Sequence, residues 1–330
     1  MNFQSVLSMA PLRISFLGGG SDIANFYEKS PGSVVSAAIN KYVYVHIKRH
    51  DPLFQERYRI SYSEVEHTQD RNEIKNSIVR ACLELLNMDE PLQISTSADL
   101  PANSGLGSSS SFAVALLNGL HAIRGETVSP VQLAEEACHA EIDILKSPIG
   151  KQDQYAAAFG GLNYFEFGRN GSVQIEPICL SGTDTGRFLE KSLLVWTGLS
   201  RKADVILEDQ ASRAASNFEN LLETTHLAKN FKELMLSSNL DLDHLGSLIS
   251  RGWTLKQSFS EKIVTEEVRA ITAELDNINC LGYKLLGAGG GGFIFAVFDQ
   301  LDERKVESLK NWQTFRPALD HAGSRIVSVN

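Results

Sequence analysis

The chain has 330 residues, 43% of them hydrophobic and 22% charged, with a formal net charge of -9 and a pI near 5.4. That size and apolar share allow one large folded unit or two packed domains with a sizeable core. The acidic balance argues against a general binder of nucleic acid or of anionic membranes, which would carry a basic surface.

Cys82, Cys138, Cys179 and Cys280 are widely spaced and form no C-x-x-C pair, so neither a zinc site nor a disulfide framework is expected. Four scattered thiols fit a reducing compartment and hence a cytoplasmic location. The first residues, MNFQSVLSMAPLRISFL, show no basic n-region and no long apolar stretch of a signal peptide. No run approaches the ~20 apolar residues that a membrane-spanning helix needs.

In chain order, residues 10–17 (APLRISFL) read as a strand entering Gly18-Gly19-Gly20, and residues 40–49 as a second, β-branched and aromatic strand. Residues 92–99 read as a third strand. The loop from Pro101 (PANSGLGSSS) then leads into an apolar segment of helical length, FAVALLNGLHAI. Ser129-Pro130 marks an N-cap with proline at the first helical position, opening a helix over 129–145. A short helix follows Lys146-Ser147-Pro148-Ile149-Gly150, then a strand at 161–167 and another ending near 197. Helices are expected near 202–235, 241–258 and 264–278, two strands across 282–298, and a helix over 302–313. The mixture lacks a strict βαβ rhythm, which makes the fold class α+β. A composition shift near 170–190 divides the chain into residues 1–185 and 186–330.

Three glycine-rich stretches carry the chemistry. In Pro101-Ala102-Asn103-Ser104-Gly105-Leu106-Gly107-Ser108-Ser109-Ser110, glycine permits close backbone approach to an anion. The serines are expected to cap the next helix, whose N-terminus presents free N–H groups and partial positive charge. No Gly-Lys-Ser/Thr follows, so this is not a Walker A loop; the plain alternative is a turn before a Ser-capped helix. Gly287-Ala288-Gly289-Gly290-Gly291-Gly292 fits G-x-G-x-x-G on paper but precedes the strand-like FIFAVF, which rules out a dinucleotide fingerprint. Five glycines in six positions fit a backbone that closes on a ligand or on the first loop. Gly18-Gly19-Gly20-Ser21-Asp22 is a turn after Arg13, and the two charged residues would also suit a polar substrate pocket. His46 and His50 lie in a strand, where their spacing gives no zinc pair; none of the eight histidines is assigned.

Together the stretches APLRISFLGGGSD, LPANSGLGSSSSFAVA and LLGAGGGGFIFAVF resemble, in order and over nearly the whole chain, the three motifs of the GHMP kinases. EIDILKSPIGKQDQYAAAFGG adds a fourth match, with Glu141 twelve residues before Asp153 as in galactokinase-like members. Within the family, INKYVYV, SPIGKQDQYAAAFGGLN and WTGLSRKA look like bacterial heptose 7-phosphate kinases and fucose-type kinases. The resemblance implies an N-terminal ribosomal-S5-like domain, a C-terminal ferredoxin-like domain and a cleft between them. It implies ATP and Mg²⁺ as cofactors: Pro101 and Asn103 to Ser110 on the ATP phosphates, Ser109 and Glu141 on Mg²⁺. Asp153 would take the proton of the attacking hydroxyl, and Arg13 would stabilise developing charge. Gly18, Gly19, Gly20, Ser21, Asp22, Gly289 and Gly290 would face the acceptor, with Lys151 or Arg201 meeting a phosphate on it. Without the other motifs, Glu141 would read as a solvated helix-face carboxylate and Asp153 as a helix cap.

Galactokinases carry Gly-Glu-His-Thr-Asp where this chain has Gly-Gly-Gly-Ser-Asp, so galactose is in doubt and a roomier pocket is implied. The implied reaction phosphorylates the anomeric hydroxyl of D-glycero-D-manno-heptose 7-phosphate, giving the 1,7-bisphosphate for nucleotide-heptose and surface-polysaccharide synthesis. The alternatives are a kinase for L-fucose, galactose or a mevalonate-like acid, a non-catalytic regulator that binds ATP and sugar, and an ATP-consuming decarboxylase. Adenine contacts have no motif beyond a family-level placement near 60–80. The implied partner is a small-molecule sugar or sugar phosphate, not nucleic acid or membrane, and a homodimer stays open.

Overall fold

The computed structural model describes residues 3–330 except 180–187, 201–205, 207, 208, 210–212, 214, 215 and 238. Its frame is a long antiparallel pair, β1 (Ser5–Leu17) and β2 (Gly32–Arg49). Pro11 interrupts β1, and the β1–β2 register shifts between Pro11 and Leu12, the kind of irregularity at which a residue without an N–H is tolerated. Helices α1 (Ala24–Tyr27) and α2 (Ser77–Leu85) and strands β3 (Tyr58–Ser61), β4 (Val65–Thr68) and β5 (Leu92–Ala98) follow. Then come α3 (Ser108–Ile123), α4 (Pro130–Cys138), α5 (Gln152–Phe159), β6 (Leu162–Phe167) and β7 (Val173–Pro177).

The second half supplies β8 (Ser192–Trp196), α6 (Phe218–Met235), α7 (Leu242–Gln257), α8 (Glu266–Asn277), β9 (Gly282–Leu285) and β10 (Phe293–Val297). It ends with α9 (Glu303–Ser308), β11 (Thr314–Phe315) and β12 (Arg325–Val329). One sheet has the order β12-β1-β2-β5-β3-β4, with β6 and β7 extending from the first half of β2; the other runs β11-β8-β10-β9. The architecture is α+β, as the mixed pattern implies. The last strand returns to pair with β1, which ties the end of the chain to its beginning.

Helices α3, α5 and α6 pack on β1 and β2, so β1 is buried along nearly its whole length. Phe16 joins the layers: its ring lies 5.4 Å from Phe231 on α6 and 5.2 Å from Phe295 on β10, centroid to centroid. Such aromatic contacts add to the stabilisation from area burial.

The helix opened by Ser129-Pro130 forms as expected, with the Ser129 side chain accepting the Gln132 N–H. It does not stay α-helical to residue 145. After Cys138 the segment His139–Ile144 widens to a π turn, with Leu145 N–H bonded to Ala140. Helix α9 is shorter than the 302–313 expected: it ends at Ser308, where turn bonds from Leu309, Lys310 and Trp312 replace helical ones.

Candidate active site

A cleft of about 450 Å³, within the range of small-molecule sites, is lined by all three glycine stretches, Glu141, Asp153 and the ends of α7 and β9. Along β1 the side chains alternate. Leu12, Ile14 and Phe16 are buried in the core, while Arg13, Ser15 and Leu17 line the cleft.

The Ser-rich loop ends in α3 by an unusual start. Gly107 is the N-cap, in the left-handed region at φ 76°, and no side chain caps the helix. This corrects the expectation of a serine cap: Ser108, Ser109 and Ser110 are already in the first turn. Leaving the cap position without a side chain keeps the first-turn amides and the positive end of α3 directed at the cleft. The serine hydroxyls work elsewhere. Ser111 Oγ donates to the Pro11 carbonyl at 2.7 Å, and Ser109 Oγ donates to Glu141 Oε1 at 2.9 Å. A Cβ on Gly107 would stand 3.1 Å from Asp153 Oδ2 and 3.3 Å from Arg13 Cγ, so the glycine lets this pair approach the helix tip.

Arg13 and Asp153 form a two-pronged ion pair. Nε donates to Oδ1 and Nη2 to Oδ2, each at 2.7 Å, while Nη1 donates to the Gly105 carbonyl at 2.7 Å. Arg13 is only 5% exposed and Asp153 23%, on the cleft side. Beside them the π turn carries Glu141 inward to 2% exposure, which excludes the solvated-face reading. Its carboxylate also accepts from Gln154 Nε2 at 2.7 Å, and it makes no ion pair among the described residues. Burial pushes its pKa up, hydrogen bonds from Ser110, Ser109 and Gln154 pull the other way, and the Asp153 charge adds to the rise.

The Gly18–Gly20 turn forms the opposite wall. Gly18 has φ 89°, and a Cβ there would overlap the Ser33 carbonyl. Ser21 Oγ pins the turn by donating to Gly18 O at 2.7 Å; Ser21 does not line the cleft. Asp22 does. It accepts the Gly20 N–H at 2.9 Å, the Gln152 N–H at 3.1 Å and the Gln152 side-chain amide at 3.1 Å. Burial raises its pKa, backbone N–H donors oppose that, and the Asp153 charge adds to it. Ser15 Oγ and Gln152 Oε1 are buried at this wall without hydrogen-bond partners. Buried polar groups are ordinarily paired, so these two unpaired atoms stand out on the cleft wall.

The AGGGG loop closes on the phosphate loop, one of the two roles expected for it. A Cβ on Gly287 would lie 2.5 Å from Gly105 Cα, and one on Gly292 2.4 Å from the Ser104 carbonyl, which accepts the Phe293 N–H. Gly287 and Ala288 line the cleft; Gly289 and Gly290 face Ile263 and do not. Pro101, Ser104 and Leu106 also stand behind the lining, whereas Asn103, Gly105 and Gly107 through Ser110 form it. Lys151 lies outside it, its Nζ donating to Gly171 O at 2.7 Å and lying 5.2 Å from the centre of the Tyr27 ring. Arg201 falls outside the described residues.

The sequence of residues 74–161 matches the family described as GHMP kinases N terminal domain, and that of residues 227–311 matches GHMP kinases C terminal. The chain belongs to the GHMP kinases. It is therefore an ATP-dependent phosphotransferase. It is 29% identical over 309 residues to the D-glycero-alpha-D-manno-heptose 7-phosphate kinase of Campylobacter jejuni, covering 90% of each chain. A D-glycero-D-manno-heptose 1-phosphate kinase from Bacteroides thetaiotaomicron superposes with a TM-score of 0.80 at 23% identity, over 98% of this chain and 99% of that one. Lactococcus lactis galactokinase complexed with galactose gives 0.74 at 16% identity, over 98% and 95%. At those identities the two structures establish the fold.

Reasoning from sequence missed several cleft residues of this kinase. Ser77 and Ile78 at the start of α2 line the wall within the 60–80 region, but nothing in their types sets them apart. Ser15 and Gln152 left no signal beyond being polar. Lys256 and Lys284 also line the cleft. Lys284 had a weak signal, a lysine inside the apolar strand GYKLL. Among the described residues no group of three or more His, Cys, Asp or Glu is arranged to hold a metal ion, and no helix is long and apolar enough to cross a membrane.

Proposed function

We propose that this kinase transfers the terminal phosphoryl group of ATP to the anomeric hydroxyl of a sugar, with D-glycero-D-manno-heptose 7-phosphate as the acceptor. The observation that carries the reading is the Arg13–Asp153 pair, set between the open tip of α3 and the wall formed by Gly18–Gly20 and Asp22. The identity to the Campylobacter jejuni enzyme supports the choice of sugar.

Phosphoryl transfer asks the protein mainly for placement and charge stabilisation. In this reading the free amides of Ser108 to Ser110 and the α3 dipole hold the ATP phosphates. Asp153 accepts the proton of the attacking hydroxyl; Arg13 occupies two of the carboxylate's acceptor positions and leaves others for the sugar. Arg13 also stabilises charge on the transferring oxygens. Gln152 and Asp22 receive acceptor hydroxyls.

Ser109 and Glu141 fit Mg²⁺: both offer hard oxygen ligands, they touch each other, and the buried carboxylate makes no ion pair among the described residues. When bound, the ion would neutralise phosphate charge. The division into residues 1–185 and 186–330, with β12 of the second part completing the sheet of the first, and a cytoplasmic location belong to the same proposal.

The test is ADP release across a panel of sugars and sugar phosphates, with ³¹P NMR of the product. Turnover giving an anomeric phosphate supports the reading. Phosphorylation at another position, or turnover of mevalonate alone, would refute it.

A further inference from the structure

The cleft holds two cations that the scheme above does not use. Lys284 on β9 is 6% exposed, and its Nζ donates to the Phe16 carbonyl at 2.8 Å. Lys256, in the last turn of α7, keeps partial exposure on the cleft while its ammonium is enclosed, donating to the carbonyls of Leu285 (2.8 Å) and Gly287. Neither makes an ion pair with a carboxylate among the described residues. An ammonium has three donors, so Lys284 retains two and Lys256 one.

Buried charges of one sign are costly together unless an anion joins them. Burial pulls Lys284 down to about 7, with Arg13 adding to the fall, and burial also pulls Lys256 well below its ordinary value, with the charges of Lys284 and then Arg13 adding. Each lysine caps backbone carbonyls, and its remaining donors, buried on the cleft with no carboxylate beside them among the described residues, are left for an anion that would hold the lysines charged.

Their position identifies which end of the reaction they serve. Lys284 is anchored to Phe16, directly before the Gly18–Gly20 turn. Gly252, one helical turn before Lys256, packs against Leu17 at the same strand end. The lysines therefore lie on the acceptor side of the Arg13–Asp153 pair. Ser15, with its unpaired hydroxyl, sits between Arg13 and Leu17 on the same strand face.

We infer that Lys256 and Lys284, with Ser15, form the subsite for a phosphate already present on the acceptor. This rests on the sugar-kinase reading above and names the groups that would make it a sugar-phosphate kinase. It does not assign the role to Lys151, which lies outside the cleft lining; Arg201 lies outside the described residues.

The experiment compares wild type, Lys256→Met, Lys284→Met and the double variant on heptose 7-phosphate and on the same heptose without phosphate, with ATP titrated in each case. Losing a charge-assisted phosphate contact lowers the ratio of kcat/KM for the phosphorylated over the plain sugar by roughly 10-fold or more per lysine. The KM for ATP should stay within about 2-fold, which also shows that each variant is folded. Equal losses on both sugars, or a rise confined to the ATP KM, would overturn the inference and leave the sugar-kinase reading standing. If wild type turns over no sugar phosphate, the choice of acceptor and the inference fall together.

Discussion

Replacing Asp153 by alanine tests the centre of the site, and structure separates two consequences that sequence alone merges. In the proposed role of general base, Asp153 would supply about 10²- to 10⁴-fold, or roughly 3–5.5 kcal/mol of barrier. It also neutralises Arg13, which is 5% exposed and would otherwise keep only the Gly105 carbonyl as partner. Removing one member of a buried pair costs about 3–5 kcal/mol, and the 23% exposure of Asp153 reduces this to about 2–3 kcal/mol. Asp153→Ala should therefore lose both kcat and stability, measured by ADP release and urea unfolding. Adding Arg13→Met should recover at least about 1 kcal/mol of stability relative to additivity, since contacting residues couple by 0.5–3 kcal/mol. Activity should not recover. An unchanged kcat in Asp153→Ala would remove the residue from the chemistry. Strictly additive stability losses would show that the pair is not an energetic unit.

Three further outcomes follow from the same geometry. Gly107→Ala places a Cβ 3.1 Å from Asp153 Oδ2 in a left-handed backbone, costing about 1–2 kcal/mol by unfolding, and by shifting Asp153 it should lower kcat/KM by up to roughly 10²-fold. Glu141→Gln should raise the Mg²⁺ concentration for half-maximal activity by at least about 10-fold, read from a metal titration at fixed ATP. Without ligand, a lysine depressed to about 7 adds stability that is complete above the ordinary value of 10.5, declines as pH falls across that window, and is absent below about 7. Lys284→Met should flatten the stability profile between pH 7 and 10.5, by as much as about 1.4 kcal/mol per pH unit, while Lys256 keeps part of the slope.

How much the sequence disclosed depends on what each residue answers to. Arg13 and Asp22 were legible from the first motif and Glu141 and Asp153 from the fourth match, and all four line one cleft. Strands β5 and β6 and the second parts of β1 and β2 were legible from their strand-like composition. The short β3, β4 and β11 were not, because their stability comes from pairing with distant strands rather than from local pattern. The inward turn of Glu141 was hidden, since a π bulge changes the face of a helix without a characteristic residue. Lys256 and Lys284 were hidden for a related reason: a lysine reads as solvated until the fold encloses it.

The glycines show how this kinase joins its two halves. Gly287 lacks a side chain because the Gly105 backbone stands where a Cβ would go, Gly105 because the Leu286 carbonyl does, and Gly292 yields to Ser104 in the same way. Neither loop's composition explains itself; each explains the other. The contact is backbone against backbone, and the Phe293 N–H to Ser104 carbonyl bond fixes its register. Lys256 is tied by its own bond to Gly287 in this junction, and Arg13 by its bond to Gly105. A displacement of the glycine-rich second loop would therefore reach the Ser-rich loop before α3, the Arg13–Asp153 pair and Lys256 together. That is why the dense glycine run belongs to a kinase site although two of its members, Gly289 and Gly290, do not line the cleft.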